Sequence, residues 1–172
     1  MLIKEINGIK PIIEKTCYLA ENTIVAGDVH IGEKSSIWYG AVIRGDIGSV
    51  RIGKMSNIQE NAVLHMETGA VLFIGDNVTV GHGVIIHGAT IEGNSIIGMG
   101  SILLDGAIIG KNTIIGAGSL VTGGKIIPEG ELWVGRPAKF MRKITSEELE
   151  KIKISAKHYY DYAMLHEGEK ND

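Results

Sequence analysis

Three histidines near the middle of the chain have the residue type that a metal site needs. They are His65, His82 and His87. Neutral imidazole nitrogens are common zinc ligands, and three of them with one open position form the arrangement of catalytic zinc sites. The alternative is three unrelated surface histidines, which are ordinary polar residues of loops. The choice between the two depends on the elements that position these side chains.

Those elements form a six-residue repeat, which is clearest in the second half of the chain. Its apolar positions, here called stations, are Ile91, Ile97, Leu103, Ile109, Ile115, Val121, Ile127 and Trp133. Small or β-branched residues follow four positions later at Ser95, Ser101, Ala107, Thr113 and Ser119. This period predicts an all-β solenoid, a parallel β-helix in which three units close one triangular coil and the stations point inward. Ordinary buried strands with turns, the alternative, do not explain such an unbroken register.

The same register extends towards the N-terminus with three irregular steps. The earlier stations group into coils as 13/19/25, 31/37/43, 52/58/64 and 74/80/86, followed by 91/97/103, 109/115/121 and the closing pair 127/133. In this grouping the irregular steps, after Ile43, Leu64 and Ile86, all fall at one corner of the prism. Insertions in solenoids often gather on the functional face. Tolerated loop variation is the alternative reading of the same pattern.

The two ends of the chain do not follow the repeat. Residues 1–12 are expected to form an edge strand or arm that caps the first coil. After Trp133 the period breaks, and the sequence from Thr145 to Glu148 is typical of a capping box that opens a helix. We therefore predict a β-helix domain over 1–140, and over 141–172 a helix of roughly twenty residues that packs on the prism or a neighbour, with a frayed charged tail from Glu167.

The repeat register predicts where the three histidines lie. His65 and His87 each follow a station of the same column, so their side chains should point outward from one face, about 4.8 Å apart. Two imidazoles at that separation can share one metal ion. His82 follows Val80 by two residues, on the preceding face, which turns it away. A neighbouring prism would have to supply it, which predicts a homotrimer with one three-histidine site at each interface.

Other polar residues lie near these positions in the repeat. Arg44 should stand one coil from His65 with Asp46 in the adjoining loop, and a structural ion pair between subunits is the favoured interpretation. Gln59 is the better candidate for orienting a bound water or hydroxide, and Asn57 precedes the same station. No chemistry is assigned to the remaining histidines, of which one is expected to be structural and two exposed on the helix: His30, His158 and His166.

At these residues the chain resembles the gamma-class carbonic anhydrases among the left-handed β-helix proteins. The matching elements, within residues 10–145, are Arg44-Gly45-Asp46, Asn57-Ile58-Gln59, His65, Val80-Gly81-His82, His87 and the stretch 98–107. The resemblance implies a left-handed helix, a homotrimer, and zinc (or iron or cobalt) held by His65 and His87 of one subunit with His82 of another. It also implies that Gln59 contacts the metal-bound water, that Asn57 lines the pocket, and that Tyr159 of the helix lies near the site.

The function that this resemblance implies is reversible hydration of CO2 to bicarbonate. The chain departs from the family prototype in the loop from Met66 to Phe73, which is short and offers Glu67 where the prototype has an acidic proton-shuttling loop. Glu67 or Glu60 would have to accept the proton. Two alternatives stay open, because a fold alone does not decide function. They are an acyltransferase that uses acyl-coenzyme A and a histidine base, and a metal-binding trimer without turnover.

Composition limits the remaining classes of function. The chain has 172 residues and a formal net charge of -3, which does not favour a nucleic-acid partner. Cys17 is the one cysteine, so neither a disulfide framework nor a cysteine-based metal site fits one chain. No apolar run reaches the length of a signal peptide core or a membrane span. A soluble cytoplasmic protein without membrane partners is the expectation.

Overall fold

The computed structural model describes residues 1–168 and confirms the predicted all-β solenoid, with about seven coils and one C-terminal helix in that range. The first ten strands are β1 (Leu2–Lys4), β2 (Ile12–Ile13), β3 (Tyr18–Leu19), β4 (Ile24–Ile31), β5 (Ser36–Ile37), β6 (Val42–Ile52), β7 (Asn57–Ile58), β8 (Val63–His65), β9 (Val71–Ile74) and β10 (Thr79–Val80). They are followed by β11 (Ile85–His87), β12 (Thr90–Ile91), β13 (Ile96–Ile97), β14 (Ile102–Leu103), β15 (Ile108–Ile109), β16 (Ile114–Ile115), β17 (Leu120–Val121), β18 (Ile126–Ile127), β19 (Glu131–Val134), β20 (Lys139–Lys143) and the helix α1 (Ser146–Gly168).

The strands stack into three faces of a prism. Face 1 contains β2, the second halves of β4 and β6, and β9, β12, β15 and β18. Face 2 contains β3, β5, β7, β10, β13, β16 and β19, and face 3 contains the first halves of β4 and β6 with β8, β11, β14 and β17. Each station pairs in parallel with its equivalent in the next coil, as Leu64 does with Ile86 and Ile97 with Ile115. The predicted grouping of stations is therefore confirmed.

The core is a stack of these aliphatic stations. Ile97 and Leu103 are fully buried, and so are the small residues beside the corners. Buried hydroxyls find partners within the stack: the Ser95 hydroxyl donates to the Gly110 carbonyl at 3.4 Å and accepts from the Thr113 amide at 3.1 Å. A Cβ at Gly98 would lie 2.5 Å from the Ala117 amide nitrogen, so this corner requires glycine.

The corner between faces 3 and 1 carries the irregular steps of the repeat. Both β4 and β6 continue around it without a break, and this joins the two faces into one sheet of twelve strands. The next coils open there into short loops, after His65 and after His87. The predicted shared corner is confirmed, and it lies directly beside the two histidines.

The N-terminal arm and the C-terminal end close the stack differently. β1 pairs in parallel with the first residues of β4, from Ile24 to Ala26, as an edge strand. At the other end β20 runs antiparallel to β19, a hairpin that the repeat did not predict. The predicted domain boundary at residue 140 falls inside β20.

The helix α1 begins at the predicted capping box. The Thr145 hydroxyl accepts from the Glu148 amide at 3.2 Å, and the Glu148 carboxylate accepts from the Thr145 amide at 2.9 Å. The helix then packs on face 2, against β3, β5, β7 and β10, and buries Ile152, Ala156 and Ala163. Of the predicted tail, residues 169–172 lie outside the described part of the chain. No helix within residues 1–168 is long and apolar enough to span a membrane.

Candidate functional site

His65 and His87 stand side by side at the end of face 3. They are paired residues of β8 and β11, as the repeat register predicts, and their ring centroids are 5.3 Å apart. The His65 side chain is 15% exposed and that of His87 is 34% exposed. An open cleft of about 480 Å³ adjoins them, and Glu67 lines it together with both rings. This pair can offer two nitrogens to one ion, with a carboxylate close by.

His82 lies at the other edge of face 3. It sits in the turn after β10, where the chain passes from face 2 to face 3, whereas His87 ends the strand that follows. Five residues of largely extended chain span on the order of 10–15 Å. Among residues 1–168 no three histidine, cysteine or acidic side chains come close enough together to hold a metal ion. A three-histidine site therefore needs two chains.

A carboxylate contacts each of the three histidines. The pairs are His65 Nε2 with Asp46 Oδ1 at 3.1 Å, His82 Nδ1 with Glu60 Oε2 at 2.5 Å, and His87 Nδ1 with Asp105 Oδ2 at 2.6 Å. Because a carboxylate can only accept, the contacting ring nitrogen carries the proton, and in a neutral ring the other nitrogen then has the lone pair. Carboxylate–histidine pairs of this kind orient metal ligands. The free nitrogen is Nε2 in His82 and His87, and Nδ1 in His65.

Asp46 connects His65 to Arg44. The Arg44 guanidinium donates to Asp46 Oδ2 at 2.6 Å, within the same chain. Burial acts to raise the pKa of Asp46, but the hydrogen bonds from Arg44 and His65 outweigh it and hold that pKa below its usual value. The carboxylate thus stays charged between two donors. The predicted ion pair between subunits stays a prediction.

Gln59 and Asn57 belong to a line of hydrogen bonds on face 2 beneath α1. The Gln59 amide donates to Asn57 Oδ1 at 3.0 Å, and the Asn57 amide donates to the Thr79 hydroxyl at 3.0 Å. That hydroxyl is 3.3 Å from the Ser155 hydroxyl of the helix. Gln59, Asn57 and Thr79 are all buried. The line fixes the orientation of both amides and ties it to the position of α1.

Tyr159 lies over the same part of face 2. Its ring packs edge-on against Trp38, with centroids 5.7 Å apart. Burial raises the pKa of Tyr159, the charge of Glu60 adds to this, and an interaction with the Gln59 side chain opposes it. Tyr159 is therefore near Gln59, Glu60 and the edge that carries His82.

The predicted site residues thus fall into two groups, one at the corner between faces 3 and 1 and the other on face 2 and its corner with face 3. The first group contains Arg44, Asp46, His65, Glu67 and His87. The second group contains Asn57, Gln59, Glu60, His82 and Tyr159. One chain does not bring the groups together.

Sequence reasoning assigned no role to Asp105, Thr79 or Ser155. The register contained the signal for Asp105, because Ile86 pairs with Leu103 and this places Asp105 beside the residue after His87. Thr79 occupies the position equivalent to Asn57 in the next coil, since the two are paired residues of β10 and β7. Ser155 could not be placed, because no repeat relates the helix to the prism.

The histidines outside the site differ from one another. His166 is not simply exposed, as predicted, because its ring packs among Tyr18, Trp38 and Tyr39, and its Nδ1 is 3.1 Å from the Tyr39 hydroxyl. The packing of α1 against β3 and β5 brings its end onto these aromatic side chains. His30 forms an exposed pair with Glu14, at 3.3 Å, and His158 is exposed.

The donor set fits a zinc ion. Three imidazoles, each with one nitrogen protonated towards a carboxylate and the other free, are the neutral ligands that zinc takes in catalytic sites. His65 and His87 can bind from one chain and His82 from another. Gln59, in the second group, provides a neutral amide that can form hydrogen bonds. Glu67, in the first group, provides an acid close to the His65–His87 pair. Such a site can activate water and dispose of its proton.

The known proteins that are similar to this chain include hexapeptide-repeat proteins and carbonic anhydrases. Residues 88–123 match the family described as bacterial transferase hexapeptide, six repeats. The chain is 47% identical over 165 residues to the mitochondrial gamma carbonic anhydrase 2 of Arabidopsis thaliana, covering 92% of this chain but 59% of that protein. It is 44% identical over 160 residues to a carbonic anhydrase of Geobacillus kaustophilus, covering 93% of this chain and 88% of that protein.

A solved structure confirms the architecture over almost the whole chain. The crystal structure of a Bacillus cereus protein superposes with a TM-score of 0.95 at 41% identity, and the match covers 97% of both chains. The hexapeptide repeat, the solenoid with its helix and the high identity to carbonic anhydrases agree with one another. The chain belongs to the gamma carbonic anhydrase-like family of hexapeptide-repeat proteins.

Proposed function

We propose that this protein catalyses the reversible hydration of CO2 to bicarbonate at zinc sites shared between the subunits of a homotrimer. Each site would take His65 and His87 from one subunit and His82 from the next. The observation that carries the proposal is the position of these residues at opposite edges of the same face. The carbonic anhydrase of Geobacillus kaustophilus supports the reaction through its similarity to this chain.

The outer surface of face 3 supports the trimer. Ile24, Val42, Val63 and Ile85 are equivalent residues of four consecutive coils and point outward. Val42 is half-buried, and the other three are 36%, 39% and 42% exposed. A continuous apolar column of this kind is typical of a covered surface. If three chains turn face 3 towards a common threefold axis, one edge of face 3 in each chain lies next to the opposite edge of face 3 in the neighbouring chain. That arrangement brings His82 of one chain to the His65–His87 pair of the next.

The protein residues would divide the chemistry as follows. A zinc ion held by His65, His87 and the neighbouring chain's His82 would lower the pKa of a water from 15.7 to about 7, carbonic anhydrase being the standard example. Gln59 is held by Asn57 and would present its amide to the reacting oxygen atoms. Glu67 lines the cleft beside His65 and would accept the released proton. Glu60 is the weaker candidate for this step because it already contacts His82.

Two other functions remain as alternatives. The family description names transferases, and the description of the similar Bacillus cereus structure names an acetyltransferase, which favours an acyltransferase with a histidine base. That reaction needs one histidine and gives no reason for a paired second one. A metal-binding trimer without turnover agrees with the short loop around Glu67. Iron or cobalt could occupy the same donor set. The cytoplasmic location stays a prediction, because the Arabidopsis relative is named mitochondrial.

The deciding experiment combines three measurements on the purified full chain. We expect light scattering to give the mass of a trimer, metal analysis to give about one zinc per chain, and a stopped-flow assay to show CO2 hydration. His65→Ala, His82→Ala and His87→Ala should each lose the zinc and keep the β signal in circular dichroism. A monomer with full zinc occupancy contradicts the shared site. A zinc-loaded trimer without hydration above background contradicts the enzyme.

A further inference from the structure

Asp105 contacts His87, a predicted metal ligand, and lies outside the set of predicted site residues. Its Oδ2 lies 2.6 Å from Nδ1 of His87, the shorter of the two carboxylate contacts in the His65–His87 pair. Asp105 belongs to the turn after β14, one coil beyond His87. The strand pairing of β11 with β14 therefore fixes the position of the carboxylate relative to the ring. The contact is built into the stack and does not depend on a mobile loop.

The second oxygen of Asp105 shows how closely this contact is packed. Asp105 Oδ1 is buried and, within residues 1–168, has no hydrogen-bond partner. It faces Gly88, where a Cβ would lie 2.1 Å from it, and Gly88 has a φ of +60°. A side chain at position 88 would therefore displace the carboxylate. Within residues 1–168 the His87 imidazole is therefore the one side chain that hydrogen-bonds to this carboxylate.

We propose that Asp105 is a positioning residue that holds His87 as the Nδ1-protonated tautomer and directs Nε2 towards the metal, with Gly88 providing the space. This inference rests on the proposed metal site. A bound ion would find the lone pair already on Nε2 and the ring already oriented. Without Asp105 the ring would be free to rotate and to exchange tautomers, so the zinc affinity of the site would fall.

A comparison pair elsewhere in the chain gives a matched control. Glu14 contacts His30 at 3.3 Å on face 1, and both side chains are more than two fifths exposed. Removing Glu14 deletes a carboxylate–histidine contact without touching the site. Asp105→Ala deletes the contact at the site. Asp105→Asn keeps the size of the side chain and an amide oxygen that can accept the same hydrogen bond, but without the charge.

The tautomer is read in the metal-free protein by long-range ¹H–¹⁵N correlation of the histidine rings, with His87 identified by its loss in His87→Ala. We expect the Nδ1-protonated form of His87 in the wild type and in Glu14→Ala. Asp105→Ala should shift His87 towards the Nε2-protonated form. Zinc affinity is read by competition with a chelator. We expect a loss of about 10–100-fold in Asp105→Ala, a smaller loss in Asp105→Asn, and no change in Glu14→Ala.

The outcomes separate this inference from the proposed function. Unchanged His87 tautomer and unchanged zinc affinity in both Asp105 variants would overturn the role of Asp105 and leave the metal site standing. A wild type that binds no zinc would overturn the proposed function, while the tautomer comparison would still decide whether Asp105 controls the ring. If Asp105→Ala does not fold by circular dichroism, a zinc affinity of Asp105→Asn equal to the wild type overturns the inference.

Discussion

His82 and His87 are five residues apart in the chain, yet they lie at opposite edges of face 3. His82 lies in the turn before β11 and His87 is the last residue of that strand, so the strand crosses the face between them. In the proposed shared site, each chain would contribute His65 and His87 at one edge and His82 at the other. This relationship makes the oligomer a part of the proposed chemistry.

Mixing two inactive variants should restore sites. His82→Ala retains the His65–His87 pair, and His87→Ala retains His82. After subunit exchange at equal amounts, a trimer that contains both variants has one complete site, so random mixing should restore about a quarter of the wild-type zinc. Metal analysis and the hydration assay both report this recovery. A site formed within one chain would recover nothing, and a mixture of His82→Ala with His82→Gln should also recover nothing.

Gln59→Ala should separate metal binding from turnover. Gln59 is buried and bonded to Asn57, so its removal leaves the three histidines and their carboxylates in place. We expect nearly full zinc content and a loss of about 10–100-fold in kcat/KM for CO2 hydration. Loss of zinc together with activity would instead make Gln59 a structural part of the metal site.

Glu67 and Glu60 should give different phenotypes. Glu67→Ala should slow proton release, so a high concentration of imidazole buffer should restore its rate. Glu60→Ala removes the carboxylate that contacts His82 at 2.5 Å. It should therefore lower zinc occupancy, and buffer should not restore its rate. The rate as a function of imidazole concentration, at measured zinc content, distinguishes the two. Equal rescue of both variants would contradict the assignment of the proton acceptor to Glu67.

The start of α1 should depend on pH through Glu148. Its hydrogen bonds with Arg142 and then with the Thr145 amide lower the pKa of Glu148 from 4.5 to about 2. A carboxylate whose pKa is lowered by folding contributes its full stability above pH 4.5 and loses it as the pH falls towards 2. The difference in thermal unfolding midpoint between the wild type and Glu148→Gln should therefore shrink over this range.

A control on the same helix limits the interpretation of that pH dependence. Glu150 is exposed and pairs with Lys153 three residues later. Exposed pairs of this kind contribute little to stability, so Glu150→Gln should match the wild type at every pH. A pH dependence in Glu148→Gln equal to that of the wild type would contradict the role of the capping carboxylate.

The repeat made much of the fold predictable because one rule places every station. The pairings of Leu64 with Ile86 and of His65 with His87 follow from counting along the chain. β20 could not be found in this way, since it breaks the period, pairs antiparallel and shows no alternation of buried and exposed residues. The extent of the helix was predictable from its capping box and apolar stripe. Its contact with the prism was not, because that contact depends on how the surfaces of α1 and face 2 fit together.

The site was predictable to the extent that its residues belong to the repeat. Counting located His65 and His87 together and separated His82 from them. It did not show that each ring meets a carboxylate, because hydrogen bonding depends on side-chain orientation as well as on register. Tyr159 and Ser155 reach the site from α1, and the resemblance to a family, not the repeat, pointed to Tyr159. The prediction that His166 is exposed was wrong because the repeat does not determine where α1 packs on the prism.

The antiparallel strand β20 has a consequence for how the protein can grow. A stack of parallel strands with an open end is a template for further chains, as in fibres. Here β20 covers the last strand of face 2 with the exposed charged residues Lys139, Arg142 and Lys143. The backbone between Gly135 and Ala138 pairs with Leu120 at the end of face 3, and the remaining end strand, β18, is two residues long. The ends of faces 2 and 3 are thus covered at this end of the prism, which disfavours the addition of further strands there.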